Sequence, residues 1–88
     1  MNVWEIGVLR GIESRGGSAN TQEIYSELEG GRFIKLSDKD LRKTEYGNRP
    51  AYQHQVRSHL SNLVDTGDLK RLSRGIYLLT AKGRRRVG

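Results

Sequence analysis

Cysteine is absent from the 88 residues, which excludes disulfides, thiolate metal sites and cysteine nucleophiles together. Apolar residues are scarce, at 34%, and no uninterrupted apolar run comes near the ~20 residues that a membrane-spanning helix needs. The opening Met1-Asn2-Val3-Trp4-Glu5 lacks a basic stretch followed by an apolar one, so no secretory signal is expected. The only histidines, His54 and His59, project about 140° apart on a helix and cannot share a metal as an i, i+4 pair does. Asp38-Lys39-Asp40 reads as a helix start behind Ser37 rather than as a metal site. The glycine pairs do not lie between a strand and a helix at phosphate-loop spacing, and no serine or lysine has an evident activating partner. The chain is therefore read as a non-enzyme without metal or cofactor. With 88 residues against roughly 150 per domain, residues 1–88 are expected to form one small cytoplasmic domain. Such a chain buries only about 60% of its unfolded surface.

Charge is what the chain has in excess. Sixteen Lys and Arg against ten Asp and Glu give a net charge of +6. The first half is balanced, with seven bases (Arg10, Arg15, Arg32, Lys35, Lys39, Arg42, Lys43) and seven acids (Glu5, Glu13, Glu23, Glu27, Glu29, Asp38, Asp40). The second half holds nine bases (Arg49, Arg57, Lys70, Arg71, Arg74, Lys82, Arg84, Arg85, Arg86) and three acids (Glu45, Asp65, Asp68). The whole imbalance lies after residue 44, which points to a polyanion: nucleic acid first, an anionic membrane surface second.

The hydrophobic periodicity orders the elements. Trp4, Val8, Leu9 and Ile12 form one stripe of a helix from about Asn2 to Arg15, stopped by Gly16-Gly17. Val3 and Ile6 fall off that stripe, either as ordinary surface residues or as contacts for C-terminal residues or a second subunit. Asn20 with Glu23 makes a capping box, and a short second helix with Ile24, Tyr25 and Leu28 inward runs to Gly30-Gly31. Residues of about 30–49 read as a long insertion, with a short turn at Asp38 to Arg42, Leu41 inward, and a turn at Tyr46-Gly47-Asn48. Pro50 suits the first turn of a third helix. Its stripe Tyr52, Val56, Leu60, Leu63, Val64 runs to about Thr66, and Gly67 stops it. Leu69-Lys70-Arg71-Leu72 and Ile76-Tyr77-Leu78-Leu79 are two strands, joined by a three-residue loop Ser73-Arg74-Gly75 in which Gly75 supplies positive φ. Thr80 caps a last helical turn, Ala81 to Arg86, leaving a basic tail at 84–88.

Three helices followed by a β-hairpin match a winged helix-turn-helix, a mainly α fold with a small hairpin (α+β). The third helix would be the recognition helix and the hairpin the wing. Opposite its apolar stripe, the third helix carries His54, Ser58, Ser61 and Asp65, with Arg57 on one flank, Gln55 and Asn62 on the other, and Gln53 near the boundary. Arg pairs bidentately with guanine and Gln with adenine, while Ser and His reach bases or phosphate. Gln53, His54, Arg57, Ser58 and Ser61 are thus the candidate base readers. Arg49, Lys70, Arg71 and Arg74 are the candidate phosphate or minor-groove contacts. Charge on the wing would equally guard an edge strand against aggregation. Thr21 and Gln22, at the start of the second helix, offer N–H groups to one phosphate.

The stretch from His54 to Leu69, followed by Arg74-Gly75-Ile76-Tyr77-Leu78-Leu79-Thr80-Ala81-Lys82-Gly83, resembles the N-terminal winged-helix domain of Mrr-like restriction proteins. The run of residues 16–25, Gly-Gly-Ser-Ala-Asn-Thr-Gln-Glu-Ile-Tyr, is similar to that family's lead-in to its second helix. Ser58 and His59 stand where the family usually has a bulky aromatic residue. The family's nuclease part has no counterpart here, since no Asp…Glu-x-Lys constellation occurs. The resemblance therefore implies reading of DNA without cutting, as in a transcriptional regulator or an accessory module. The expected partner is double-stranded DNA. One such module covers roughly 600–1,000 Å², so specificity would call for a homodimer or tandem sites. The alternative is a protein-interaction module that docks a partner through its wing or first helix. RNA ranks below both, because no exposed aromatic pair is evident for stacking.

Overall fold

The computed structural model describes residues 3–43 and 49–87. Along them run α1 (Val3–Ser14), β1 (Ser18–Asn20), α2 (Thr21–Glu29), α3 (Asp38–Leu41), α4 (Ala51–Asp65), β2 (Leu69–Ser73), β3 (Ile76–Leu79) and α5 (Ala81–Val87). The result is an α+β arrangement in which helices pack against one small antiparallel sheet.

The helix boundaries follow from their ends. Gly16 and Gly17 take φ of 87° and 101°, conformations that end α1 at little steric cost only in glycine. The Asn20 side chain accepts from the Glu23 N–H at 2.8 Å, and the Asn20 N–H donates to Glu23 Oε1 at 2.8 Å, so the expected capping box is complete. A second box forms around α3, where Ser37 N–H donates to Asp40 Oδ2 at 2.9 Å and Asp40 N–H donates to Ser37 Oγ at 3.2 Å. Pro50 sits one residue ahead of its expected place, as the N-cap of α4 with ψ of 142°. The first N–H of α4, on Ala51, is satisfied by the Arg42 carbonyl at 2.8 Å.

The core is built from one stripe of each long helix: Val8, Leu9 and Ile12 of α1, Ile24, Tyr25 and Leu28 of α2, and Tyr52, Val56, Leu60 and Leu63 of α4. Ala19, Leu69 and Leu79 close it from the sheet. Trp4, expected within the stripe of α1, is half-buried at the margin of this core. Val3 is 67% exposed, and Ile6 is half-buried. His59 Nδ1 lies 3.0 Å from Glu5 Oε2, which ties α4 to α1.

Three expectations need correction. The chain 18–20 was expected only as a lead-in to a helix, yet it forms a strand. Ser18, Ala19 and Asn20 pair with Leu78, Tyr77 and Ile76, giving a sheet of order β1-β3-β2. Three small or polar residues carry little strand propensity; the free edge of β3 supplies the pairing. The hairpin loop is shorter than expected, because Ser73 pairs with Ile76 and leaves Arg74-Gly75 as the turn, with Gly75 at φ 78°. The register shifts between Arg71 and Ser73, so Leu72 is turned outward and is 52% exposed. Leu41, expected inward, is 47% exposed. Ile34 and Leu36 are the insertion residues that pack on the core, and Gly7 admits Ile34, whose Cβ would be 3.4 Å from a Cβ added there. The expected turn at Tyr46-Gly47-Asn48 lies outside the described residues.

The tail is also more structural than its charge suggests. Arg84, Arg85 and Arg86 lie on α5. Arg86 Nε sits 3.1 Å from Oδ1 of the buried Asp68, close enough for an ion pair but not aligned as a hydrogen bond. Asp68 Oδ2 accepts from the Thr66 hydroxyl at 2.7 Å. Thr80 caps α5, its Oγ1 accepting from Gly83 N–H at 3.1 Å. No helix among the described residues is long and apolar enough to cross a membrane.

Candidate nucleic-acid interface

A cleft of about 620 Å³ opens between the start of α2, one side of α4 and one face of the hairpin. Its α4 wall follows from helical geometry. Leu60 lies on the core stripe, Val64 at its edge, and Arg57, Ser61 and Asp65 come next around the helix, so one wall passes from apolar to polar within two turns. Arg49 stands just ahead of this helix and lines the cleft as well.

The hairpin wall follows from the pleat. Arg71 is paired with Tyr77 and Lys70 with Leu78, and successive strand residues point to opposite faces. Arg71 and Tyr77 therefore share the cleft face, whereas Lys70 belongs to the far side of the sheet and does not line the cleft. Arg74 and Gly75 extend the wall through the turn. The turn is anchored to α2: the Thr21 N–H and hydroxyl both reach the Gly75 carbonyl, at 3.0 and 3.3 Å.

That anchor corrects one expectation. Thr21 lines the cleft, but its N–H is already donated within the fold, so it is not open to a phosphate. It holds the hairpin turn against α2.

Of the eleven residues nominated from the sequence, Thr21, Gln22, Arg49, Arg57, Ser61, Arg71 and Arg74 line the cleft. Gln53, His54 and Ser58 do not. On α4, Gln53 is half-buried and the other two are exposed outside the cleft. The cleft also contains six residues not nominated, among them Tyr25 and Tyr77. Tyr25 reads from sequence as a core residue, and it is one, at 4% exposure. Alternation along the strand from Leu79 was the available signal for Tyr77, once the hairpin face toward α4 was known.

The electrostatics are one-sided. Among the described residues, the ion pairs within 4 Å involve Arg15, His59 and Arg86 as the cations; the four cleft arginines take part in none. Among the described residues, Asp65 is the one acid lining the cleft. Burial pushes the Tyr25 phenol above its ordinary pKa, and the nearby Arg57 and Arg49 guanidiniums partly oppose the shift. The Tyr25 ring meets Tyr52 edge to face, with centroids 5.9 Å apart. Behind it, the Tyr52 hydroxyl donates to Glu29. Burial, followed by that hydrogen bond, pushes the Tyr52 phenol up to about 12.

Among the described residues, no group of three or more His, Cys, Asp or Glu is arranged to hold a metal ion. The arrangement can do a definite thing: present several guanidiniums without an ion-pair partner among the described residues, and hydrogen-bonding side chains, around a concave surface that also holds Leu60, Val64 and Tyr77. No protein-family model matches the chain, and neither a curated protein nor a solved structure does.

Proposed function

We propose that the chain is a winged helix-turn-helix that binds double-stranded DNA, with α2 and α4 as the helix pair, α4 as recognition helix and β2-β3 as wing. The observation that carries this reading is the convergence of Arg49, Arg57, Arg71 and Arg74 on one cleft without a carboxylate partner among the described residues. Guanidiniums held together unpaired repel one another, so their clustering makes sense where an anion neutralises them. The exposed face of α4 adds His54 and Ser58 beside Arg57 and Ser61, residue types that hydrogen-bond base edges and phosphates. The likeness to the Mrr-like N-terminal domain agrees with this reading and, with it, points to a regulator or accessory reader without nuclease activity.

Fluorescence anisotropy with a random-sequence duplex, repeated from low to physiological salt, tests it. Neutralising four to six phosphates makes log K fall with log salt at a slope of about −4 to −5. Absence of binding at low salt overturns the reading and moves the search to protein partners.

A further inference from the structure

The cleft is better shaped for a single nucleotide than for a duplex, and we infer that it receives one unpaired nucleotide whose base leaves the stack. Its volume of about 620 Å³ lies within the roughly 300–1,000 Å³ of small-ligand sites. A base pair held in a duplex offers only its edges and cannot enter a concavity walled on three sides by α2, α4 and the hairpin. An unstacked base can. Its flat apolar faces match the floor formed by Leu60, Val64 and the half-buried Tyr77.

The polar groups suit the rest of a nucleotide. Tyr25 is 4% exposed and lines the cleft, and its hydroxyl makes no hydrogen bond to a described residue and is not sealed off as Asp68 Oδ1 is. A phenol hydroxyl that reaches the cleft both donates and accepts, so it can bond a base edge or sugar oxygen there. Asp65 is the one carboxylate in the lining among the described residues; it accepts hydrogen bonds and fits an exocyclic amine. Arg49 and Arg74 hold the phosphates on either side, and Arg71, opposite Tyr77 on the sheet, supplies a second planar group for stacking.

The inference rests on the DNA-binding reading for the origin of the nucleotide, since the same chemistry is presented by a free mononucleotide. Removing a base from a duplex costs least where it is already unpaired. The test compares the wild-type protein on three duplexes of one sequence: fully paired, with one bulged nucleotide, and with an abasic bulge. Amide and tyrosine NMR shifts with a deoxynucleoside monophosphate provide a separate arm.

The bulged duplex is expected to bind about tenfold more tightly than the paired one, the value of one stacked base, and the abasic bulge to lose that gain. Tyr77→Leu, which keeps apolar bulk, and Tyr25→Phe, which removes only the hydroxyl, should each reduce the ratio of bulged-duplex to paired-duplex affinity. Equal binding to all three duplexes, with no tyrosine shifts on adding the mononucleotide, overturns this inference and leaves the DNA reading standing. Tyrosine shifts with the mononucleotide but no duplex binding at low salt overturn the DNA reading and assign the cleft to free nucleotides. No binding of either ligand overturns both.

Discussion

Two side chains that are inconspicuous in the sequence carry much of the local physics. A Cβ added at Gly83 would run into the Asp68 carbonyl and come within 2.7 Å of Leu79 Cδ1, because α5 lies directly on the chain that leaves α4. Gly83→Ala is therefore expected to destabilise the fold by about 1–3 kcal/mol through overpacking, read as a lowered denaturation midpoint in urea with an unchanged slope. Tyr52 is the second case. Its phenol is fully buried and raised to about 12 by burial and by its bond to Glu29. A group whose folded pKa exceeds its unfolded value of about 10 contributes stability in full below that value and loses it as pH rises through the folded one. Alkaline unfolding should thus steepen between about pH 10 and pH 12. Tyr52→Phe should flatten that part of the pH–stability profile, at the cost of the Glu29 hydrogen bond.

Among the elements, those bounded by local chemistry were legible and those formed by distant partners were not. The stripe of Tyr52, Val56, Leu60 and Leu63 predicts α4, and these residues are buried along it. The Asn20–Glu23 box predicts the start of α2 to the residue. Asn20 also ends β1, so one residue joins sheet to helix. Asn20→Ala should cost about 1 kcal/mol for the lost cap and should specifically weaken amide protection at Glu23, which hydrogen exchange would detect. By contrast, β1 has no pattern of its own and exists because β3 presents an unpaired edge to it. The bulge after Arg71, which turns Leu72 outward and shortens the loop to Arg74-Gly75, depends on the pairing register of two strands. In the insertion, Leu41 was the visible apolar residue of a capped turn, but one turn of helix has little buried face. Ile34 and Leu36 meet the core instead, with Ile34 lying against Gly7 of α1.

At the scale of the whole molecule, the cleft joins groups separated by more than fifty residues: Thr21 and Gln22 lie beside Arg74 and Gly75. Cation positions within it predict different consequences. Arg74, on the hairpin turn, is expected to hold backbone phosphate, so Arg74→Ala should weaken binding by a similar factor on every duplex and lessen the salt slope by about 1. Arg57, on the wall of α4, is expected to read a base. Arg57→Ala should change which sequence is preferred, with a cost of about 1–3 kcal/mol confined to the preferred site. Selection from a random library with each variant separates the two; equal loss on all sequences for Arg57→Ala would make it a phosphate contact as well.

The sequence by itself determined the α+β order of long helices and hairpin, the caps and stops, the lack of thiol chemistry, and the concentration of positive charge after residue 44. Those features depend on periodicity, end chemistry and composition, all written along the chain. The tertiary structure decided which charges act together. Lys70 and Arg71 are neighbours in sequence, yet the pleat sends only Arg71 into the cleft. Arg86 belongs to a basic run, yet it sits against the buried Asp68. Tyr25, chosen by its sequence position for the core, ends with its hydroxyl at a cleft among arginines. Charge is a property of composition, but a binding surface is a property of which side chains the fold leaves unpaired and facing one another.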